Sequence, residues 1–76
     1  MFGIINGGQT LSFSGNMALV VGANTSDRSF VAFFYRGIGV SIVNNGNVVT
    51  LGADGSGNYT IQNGLPSSGL RYIMVK

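Results

Sequence analysis

The sequence contains no cysteine, no histidine and no tryptophan, and it has one proline among its 76 residues. Without cysteine the chain can form no disulfide, and without histidine it also lacks the other usual zinc ligand. Charge is scarce as well, since four Lys and Arg residues and two acidic residues make up 8% of the chain. A typical soluble domain is about 25% charged. A domain of this size therefore has to be stabilised without disulfides or metal ions, and oligomerisation is the remaining common route.

The same absences leave little equipment for catalysis. General acid–base catalysis needs a group that titrates near neutrality, usually His or a perturbed carboxylate. The only acidic side chains are Asp27 and Asp54, and both stand in turn-like stretches where a carboxylate accepts hydrogen bonds from nearby backbone. The serines have no His to activate them as nucleophiles. The sequence predicts a protein that is not an enzyme and has no catalytic residue, cofactor site or metal site.

The positive charges do not form a cluster. Arg28, Arg36, Arg71 and Lys76 are dispersed along the chain, whereas nucleic-acid-binding proteins concentrate Lys and Arg on one face to neutralise several phosphates. No nucleic-acid partner is predicted. The apolar runs are far shorter than the roughly 20 residues that a membrane helix requires, so no membrane insertion is predicted.

Glycine and asparagine are abundant and separate short apolar segments. The chain has 13 glycines, and runs such as Asn6-Gly7-Gly8 and Asp54-Gly55-Ser56-Gly57-Asn58 hold residues that tolerate positive φ and close tight turns. Seven or eight short strands spaced by roughly 8–12 residues indicate a sandwich or barrel. The prediction is one all-β domain over residues 1–76, a small antiparallel sandwich or barrel. The predicted strands are Phe2–Ile5, Gln9–Ser14, Met17–Ala23, Ser29–Arg36, Ile38–Val43, Val48–Leu51, Tyr59–Gln62 and Leu70–Val75.

Two connections carry specific predictions. The run Asn44-Asn45-Gly46-Asn47 indicates a hairpin that joins Ile38–Val43 to Val48–Leu51. The stretch from Asn63 to Gly69 contains the proline and is predicted to be the longest irregular loop. No segment keeps a 3.6-residue apolar period between capping residues, so helix is expected to be nearly absent.

Several predicted strands are apolar on both sides. In Ser29–Arg36 all six residues from Phe30 to Tyr35 are apolar, and Met17–Ala23, Ile38–Val43 and Leu70–Val75 have the same character. One face of a small antiparallel sheet normally meets water. Such strands can lie at central positions of a closed barrel or sandwich. Alternatively, one of their faces can contact another subunit. Because a 76-residue chain can hardly cover both faces of four strands, the sequence predicts a homo-oligomer, with a trimer as the favoured form.

The polar and aromatic residues near turns are candidates for ligand binding. Aromatic rings beside Asn or Asp can stack on sugar rings while the polar groups bond to sugar hydroxyls. Asp27 and Arg28 lie in a polar loop between two apolar strands, a common position for recognition residues. The alternatives are that Tyr35 lies at a subunit interface and that the loop is a solvated turn. The candidate ligand-binding residues are Asp27, Arg28, Tyr35, Asn58 and Tyr59.

The few charges, the Gly-Asn turns and two stretches of sequence resemble one class of proteins. These stretches run from Asn47 to Ile61 (NVVTLGADGSGNYTI) and from Gly69 to Lys76 (GLRYIMVK). They resemble small β-rich modules of tailed-bacteriophage tail fibres, tailspikes and accessory virion proteins. The resemblance implies a trimeric structural or receptor-binding component of the virion, with its own copies, other tail proteins and host-surface glycan as partners. The alternatives are a small lectin-like carbohydrate-binding module and an accessory subunit that packs on a larger partner protein.

Overall fold

The computed structural model describes all residues from Met1 to Lys76, and the chain is all-β as the sequence predicts. The one helical element is a single 3-10 turn, Asn45–Asn47, and no helix has the length and apolar character needed to cross a membrane. The strands are β1 (Phe2–Ile5), β2 (Thr10–Ser14), β3 (Met17–Ala23), β4 (Ser29–Tyr35), β5 (Ile38–Asn44), β6 (Val49–Ala53), β7 (Asn58–Asn63) and β8 (Leu70–Val75).

The strands form two antiparallel sheets that pack face to face as a sandwich. One sheet has five strands in the order β1-β8-β3-β4-β5, and the other has three in the order β2-β7-β6. The chain changes sheet at four connections, after β1, β2, β5 and β7. The choice between sandwich and barrel, which the sequence left open, is therefore decided in favour of the sandwich.

The core lies between the sheets and consists of 13 buried apolar residues. Strand β4 contributes Phe30, Ala32 and Phe34, which are at most 1% exposed. The ring of Phe34 meets Phe13 edge-on at 5.0 Å between centroids and lies at the same centroid distance from Tyr59. Offset and edge-on ring pairs of this kind add to the free energy gained by burial. The three rings join β4 of the larger sheet to β2 and β7 of the smaller one.

The predicted hairpin at Asn44–Asn47 is wrong. Strands β5 and β6 belong to different sheets, so the segment is a corner between them. The Asn44 side chain stabilises this corner, since its amide nitrogen donates to the Val49 carbonyl at 2.8 Å and its amide oxygen accepts from the Val49 N–H at 3.0 Å. Gly46 and Asn47 follow with positive φ values of 68° and 53°. Asn and Gly favour such backbone whether the chain turns within a sheet or leaves it.

The predicted long loop is confirmed as Gly64–Gly69, the longest connection between strands. It is anchored by Asn63, the one polar residue that is fully buried. The Asn63 amide nitrogen donates to the carbonyls of Ile5 at 2.9 Å and Ser68 at 2.7 Å, and its amide oxygen accepts from the Leu65 N–H at 2.9 Å. One side chain therefore holds the start and end of the loop and the end of β1.

Candidate functional site

The outer face of the five-stranded sheet, called here the apolar face, is apolar in all but its last row. The strand register places Phe2, Ile73, Val21, Val31 and Val43 side by side in one row that crosses all five strands. Since residues paired across antiparallel strands point to the same side, the row lies on one surface. The strands predicted to be apolar on both sides all belong to this sheet.

Two further rows extend the apolar face toward the β4–β5 turn. One contains Val75, Leu19, Phe33 and Val40, and the next contains Met17, Tyr35 and Ile38. Large side chains remain open to solvent here, with Phe2 83% exposed and Ile73 57% exposed. Monomeric proteins rarely leave contiguous apolar patches of more than a few hundred Å² exposed.

A single charged residue lies on the apolar face. Arg71 occupies the row at the opposite end, with Ile4, Ala23 and Ser29. This end forms a mostly apolar groove of about 940 Å³ between β1, β8, β3 and β4. The middle rows of the face contain no charged side chain, so contact made there would bury none.

The outer face of the three-stranded sheet has the opposite character. Its rows contain Thr, Ser, Gln, Asn and Gly and no large apolar side chain, although they belong to the same chain. Its residues are Thr10, Ser12, Ser14, Thr50, Gly52, Asn58, Thr60 and Gln62. The contrast shows that the apolar face is a property of one sheet and not of the surface in general.

A second feature, called here the end cleft, is a mostly polar, open depression of about 660 Å³ at one end of the sandwich. Three turns converge on it: β2–β3, β4–β5 and β6–β7. No hydrophobic residue lines it. The lining residues are Ser14, Gly15, Asn16, Arg36, Gly37, Gly55, Ser56, Gly57 and Asn58.

Hydrogen bonds hold the three turns of the end cleft together. The Tyr59 hydroxyl donates to the Gly15 carbonyl at 2.9 Å and accepts from the Gly37 N–H at 3.1 Å. The Gly15 N–H donates to the Gly57 carbonyl at 3.1 Å, and the Arg36 N–H donates to the Asn16 carbonyl at 3.0 Å. The cleft is therefore built from backbone that is fixed before any molecule binds.

The β6–β7 turn is organised by Asp54, which confirms that this aspartate has a local role. Its carboxylate accepts hydrogen bonds from the Ser56 N–H at 2.9 Å, the Asn58 N–H at 3.1 Å and the Asn58 side-chain amide at 3.1 Å. The bonds from Asn58, side chain first and then backbone, and the bond from Ser56 hold the pKa of Asp54 below its usual value of 3.8. The charged form is the one that closes the turn.

A pH titration tests this arrangement. Because the folded pKa of Asp54 is depressed, its stabilising effect is present above pH 3.8 and is lost as the pH falls through the lower folded value. In NMR spectra we expect the Ser56 and Asn58 amide signals to move only below pH 3.8. The Asp54→Asn variant should lack this transition. Movement of both signals at or above pH 3.8 would contradict the assignment.

The predicted ligand-binding residues are not brought together by the fold. Asn58 lines the end cleft. Tyr59, expected to be exposed, is only 1% exposed, because its side chain points between the sheets and supports the cleft from behind. A ring buried in this way cannot stack on a sugar, so the prediction of that role for Tyr59 is wrong. Tyr35 lies on the apolar face, where its ring stacks on Phe33 at 5.3 Å between centroids.

Asp27 and Arg28 lie at the opposite end of the molecule from the cleft. They belong to the Asn24–Arg28 loop, which joins the far ends of β3 and β4. The Asn24 side-chain oxygen organises this loop by accepting the N–H groups of Ser26, Asp27 and Arg28 at 2.9 to 3.1 Å. Arg28 makes a 3.7 Å ion pair with Asp27, and its guanidinium occupies the space where Gly46 lacks a side chain. Both residues have structural contacts that account for their positions.

Sequence reasoning missed Asn16 and Ser56 as cleft residues. The turn composition around each of them was visible, and the β6–β7 turn was predicted as such. Their convergence depends on the order of strands in two sheets, which turn composition does not encode. Arg36 is visible in the sequence as a charged residue that stands with Gly37 between two apolar strands, a position typical of a turn.

Comparison with known proteins identifies no relative of this chain. No family model, curated protein or solved structure matches the chain.

Proposed function

We propose that this protein is a non-enzymatic structural subunit that assembles with copies of itself through the apolar face. The observation that carries the proposal is the set of three charge-free rows across the five-stranded sheet. Exposed apolar area of this extent is stabilised when a second apolar surface displaces the water that covers it.

The size of the apolar face suits a subunit contact. Five strands at about 4.8 Å spacing and up to seven residues at about 3.3 Å each give a face of roughly 24 by 23 Å. Its accessible area exceeds this projected area because side chains stand out from the sheet. A stable interface buries about 800 Å² on each partner, so most of the apolar face would take part in one.

The occupant that fits best is the apolar face of other copies of the chain, with the faces of three copies enclosing one shared core in a trimer. The only charged side chain, Arg71, lies in the end row, where it can stay at the solvated rim of a contact while the middle rows are buried. A charged partner would find no complementary group in the middle rows. Self-repulsion is also weak, since the net charge is +2.

The wider role follows from the resemblance to bacteriophage tail modules. On that ground we propose a component of a phage tail or virion, with a trimer as the favoured form and other tail proteins as neighbours. Tail or tailspike genes beside the gene for this protein are expected. A gene neighbourhood with no phage structural genes would contradict the virion role and leave self-assembly to be judged separately.

The oligomeric state tests self-assembly directly. Size-exclusion chromatography with light scattering on the purified chain at low micromolar concentration should give about three times the chain mass of 7.9 kDa. Twice that mass would retain self-assembly but overturn the trimer. A folded species of 7.9 kDa would overturn self-assembly and favour an accessory subunit whose apolar face meets a different protein.

A further inference from the structure

The end cleft has features of a binding site that the apolar face does not explain. Its volume of about 660 Å³ lies within the roughly 300–1,000 Å³ range of small-molecule pockets. All its lining residues are polar or glycine, so an apolar ligand would gain little there. Asn16, Ser56 and Asn58 present amide and hydroxyl groups that can each donate and accept hydrogen bonds.

Arg36 gives the cleft a positive charge with no ionic partner. The one ion pair in the structure joins Arg28 to Asp27, at the other end of the sandwich. A planar guanidinium suits oxyanions because it donates two parallel hydrogen bonds. Lys76 adds a second cation at the edge of the cleft, where its ammonium donates to the carbonyl of the lining residue Ser14 at 2.7 Å.

The backbone at Arg36 is also unusual. The residue has a φ of 50° and precedes Gly37 with a φ of 78°, so the two occupy the centre of a two-residue hairpin turn. Such turns favour Asn-Gly or Gly-Gly, and few residues other than glycine adopt positive φ. Arginine at this position does not serve the turn, and strained residues of this kind concentrate at functional sites.

Asp54, the acidic residue beside the cleft, makes no ion pair with Arg36. The Asp54 carboxylate is turned to its own loop, where it accepts three hydrogen bonds from Ser56 and Asn58. Arg36 is the one charged residue among those that line the cleft, where Asn16, Ser56 and Asn58 are its polar companions.

We propose that the end cleft binds a saccharide that carries a carboxylate, with Arg36 holding the carboxylate and Asn16, Ser56 and Asn58 bonding to the sugar hydroxyls. Polyhydroxylated rings match the density of donors and acceptors in the lining. The Tyr59 hydroxyl positions the cleft by bonding to Gly15 and Gly37 behind it. The cleft lies at the end of the sandwich, just beyond the row of Met17, Tyr35 and Ile38 on the apolar face.

Ligand titration by NMR on the folded chain tests the proposal. Trigalacturonic acid is the acidic probe, maltotriose the neutral one and sodium sulfate the simple anion. We expect trigalacturonic acid to shift the amide signals of Asn16, Ser56 and Asn58 and to bind more tightly than maltotriose or sulfate. Equal affinity for sulfate and trigalacturonic acid would overturn the assignment to a saccharide, and the absence of shifts with all three probes would overturn the site.

The Arg36→Gly variant separates recognition from folding. Glycine adopts the φ of 50° without strain, so the turn should stay intact while the affinity for trigalacturonic acid falls roughly 10- to 100-fold. Arg71→Gln is the matched control, since it removes one positive charge at the far end of the apolar face and should bind as the wild type does. Unchanged binding by Arg36→Gly would overturn the role of Arg36. Light scattering on the same samples reports on self-assembly independently.

Discussion

Replacing Leu19 with Glu should dissociate the oligomer into folded monomers. Leu19 lies on β3, the central strand of the five-stranded sheet, in the row that contains Phe33 and Val40. Removing a charge from water without a partner costs several kcal/mol per ion, and every subunit of the assembly would carry one such charge. The subunit dissociation constant is therefore expected to rise by at least about 100-fold.

The monomer itself should tolerate this substitution. Leu19 is 40% exposed, so a Glu side chain at that position can reach solvent when no second subunit covers it. Light scattering should report the 7.9 kDa chain mass, and circular dichroism should retain the β-sheet signal. Phe2→Glu is a second variant. Phe2 lies on the edge strand β1 and is 83% exposed, so this substitution should affect the fold even less.

Ser12→Glu is the control for added charge. Ser12 is exposed on the outer face of the three-stranded sheet, so this variant changes the net charge by the same amount on the polar side of the sandwich. It should keep the mass of the wild-type oligomer. Dissociation by both variants would indicate a general effect of charge, and an unchanged oligomer for Leu19→Glu and Phe2→Glu would remove the apolar face from the contact.

Replacing Asn63 with Ala should have the largest effect on the stability of the fold. The substitution leaves the carbonyls of Ile5 and Ser68 and the N–H of Leu65 without their hydrogen-bond partner. A buried polar group that loses its partner costs about 1–3 kcal/mol. This applies to the Ile5 carbonyl, whereas the Ser68 and Leu65 groups are only partly buried and add less. Domains of this size have a total free energy of unfolding of only about 5–15 kcal/mol, so the variant is expected to melt well below the wild type.

Gln62→Ala is the matched control for Asn63→Ala. Gln62 is the preceding residue on β7 and is exposed on the opposite side of the same strand. Thermal or urea unfolding should give a change within about 0.5 kcal/mol for this surface substitution. If Asn63→Ala lowers the free energy of unfolding no more than Gln62→Ala does, the loop and β1 are held by other contacts.

Much of the secondary structure could be predicted because it depends on neighbours in sequence. The apolar run from Phe30 to Tyr35 and the turn residues on either side of it are sufficient to predict β4, and the structure places it at Ser29–Tyr35. Arg36 was assigned to the strand, and its positive φ of 50° excludes it. Nothing about a single arginine in the sequence indicates that backbone conformation, since it is imposed by the tight turn with Gly37.

The hairpin predicted at Asn44–Asn47 was wrong for a related reason. Asn and Gly report that the chain bends, but the destination of the chain after the bend depends on which strands pair. Strand β5 pairs with β4, whereas β6 pairs with β7. The candidate residues divide in the same way, since Asn58 reaches the end cleft while Asp27 and Arg28 lie at the other end of the β3–β4 hairpin.

The sequence by itself determined that the chain is all-β, that it has few groups suited to catalysis and that four of its strands are apolar on both sides. These properties follow from composition and from alternation along single strands. Only the tertiary structure decided that these strands form one sheet with a common exposed face, and that three turns meet at a polar cleft. The reason is that both features depend on pairings between distant segments, such as β1 with β8 and the bond from Asn63 to Ile5, which no local pattern specifies.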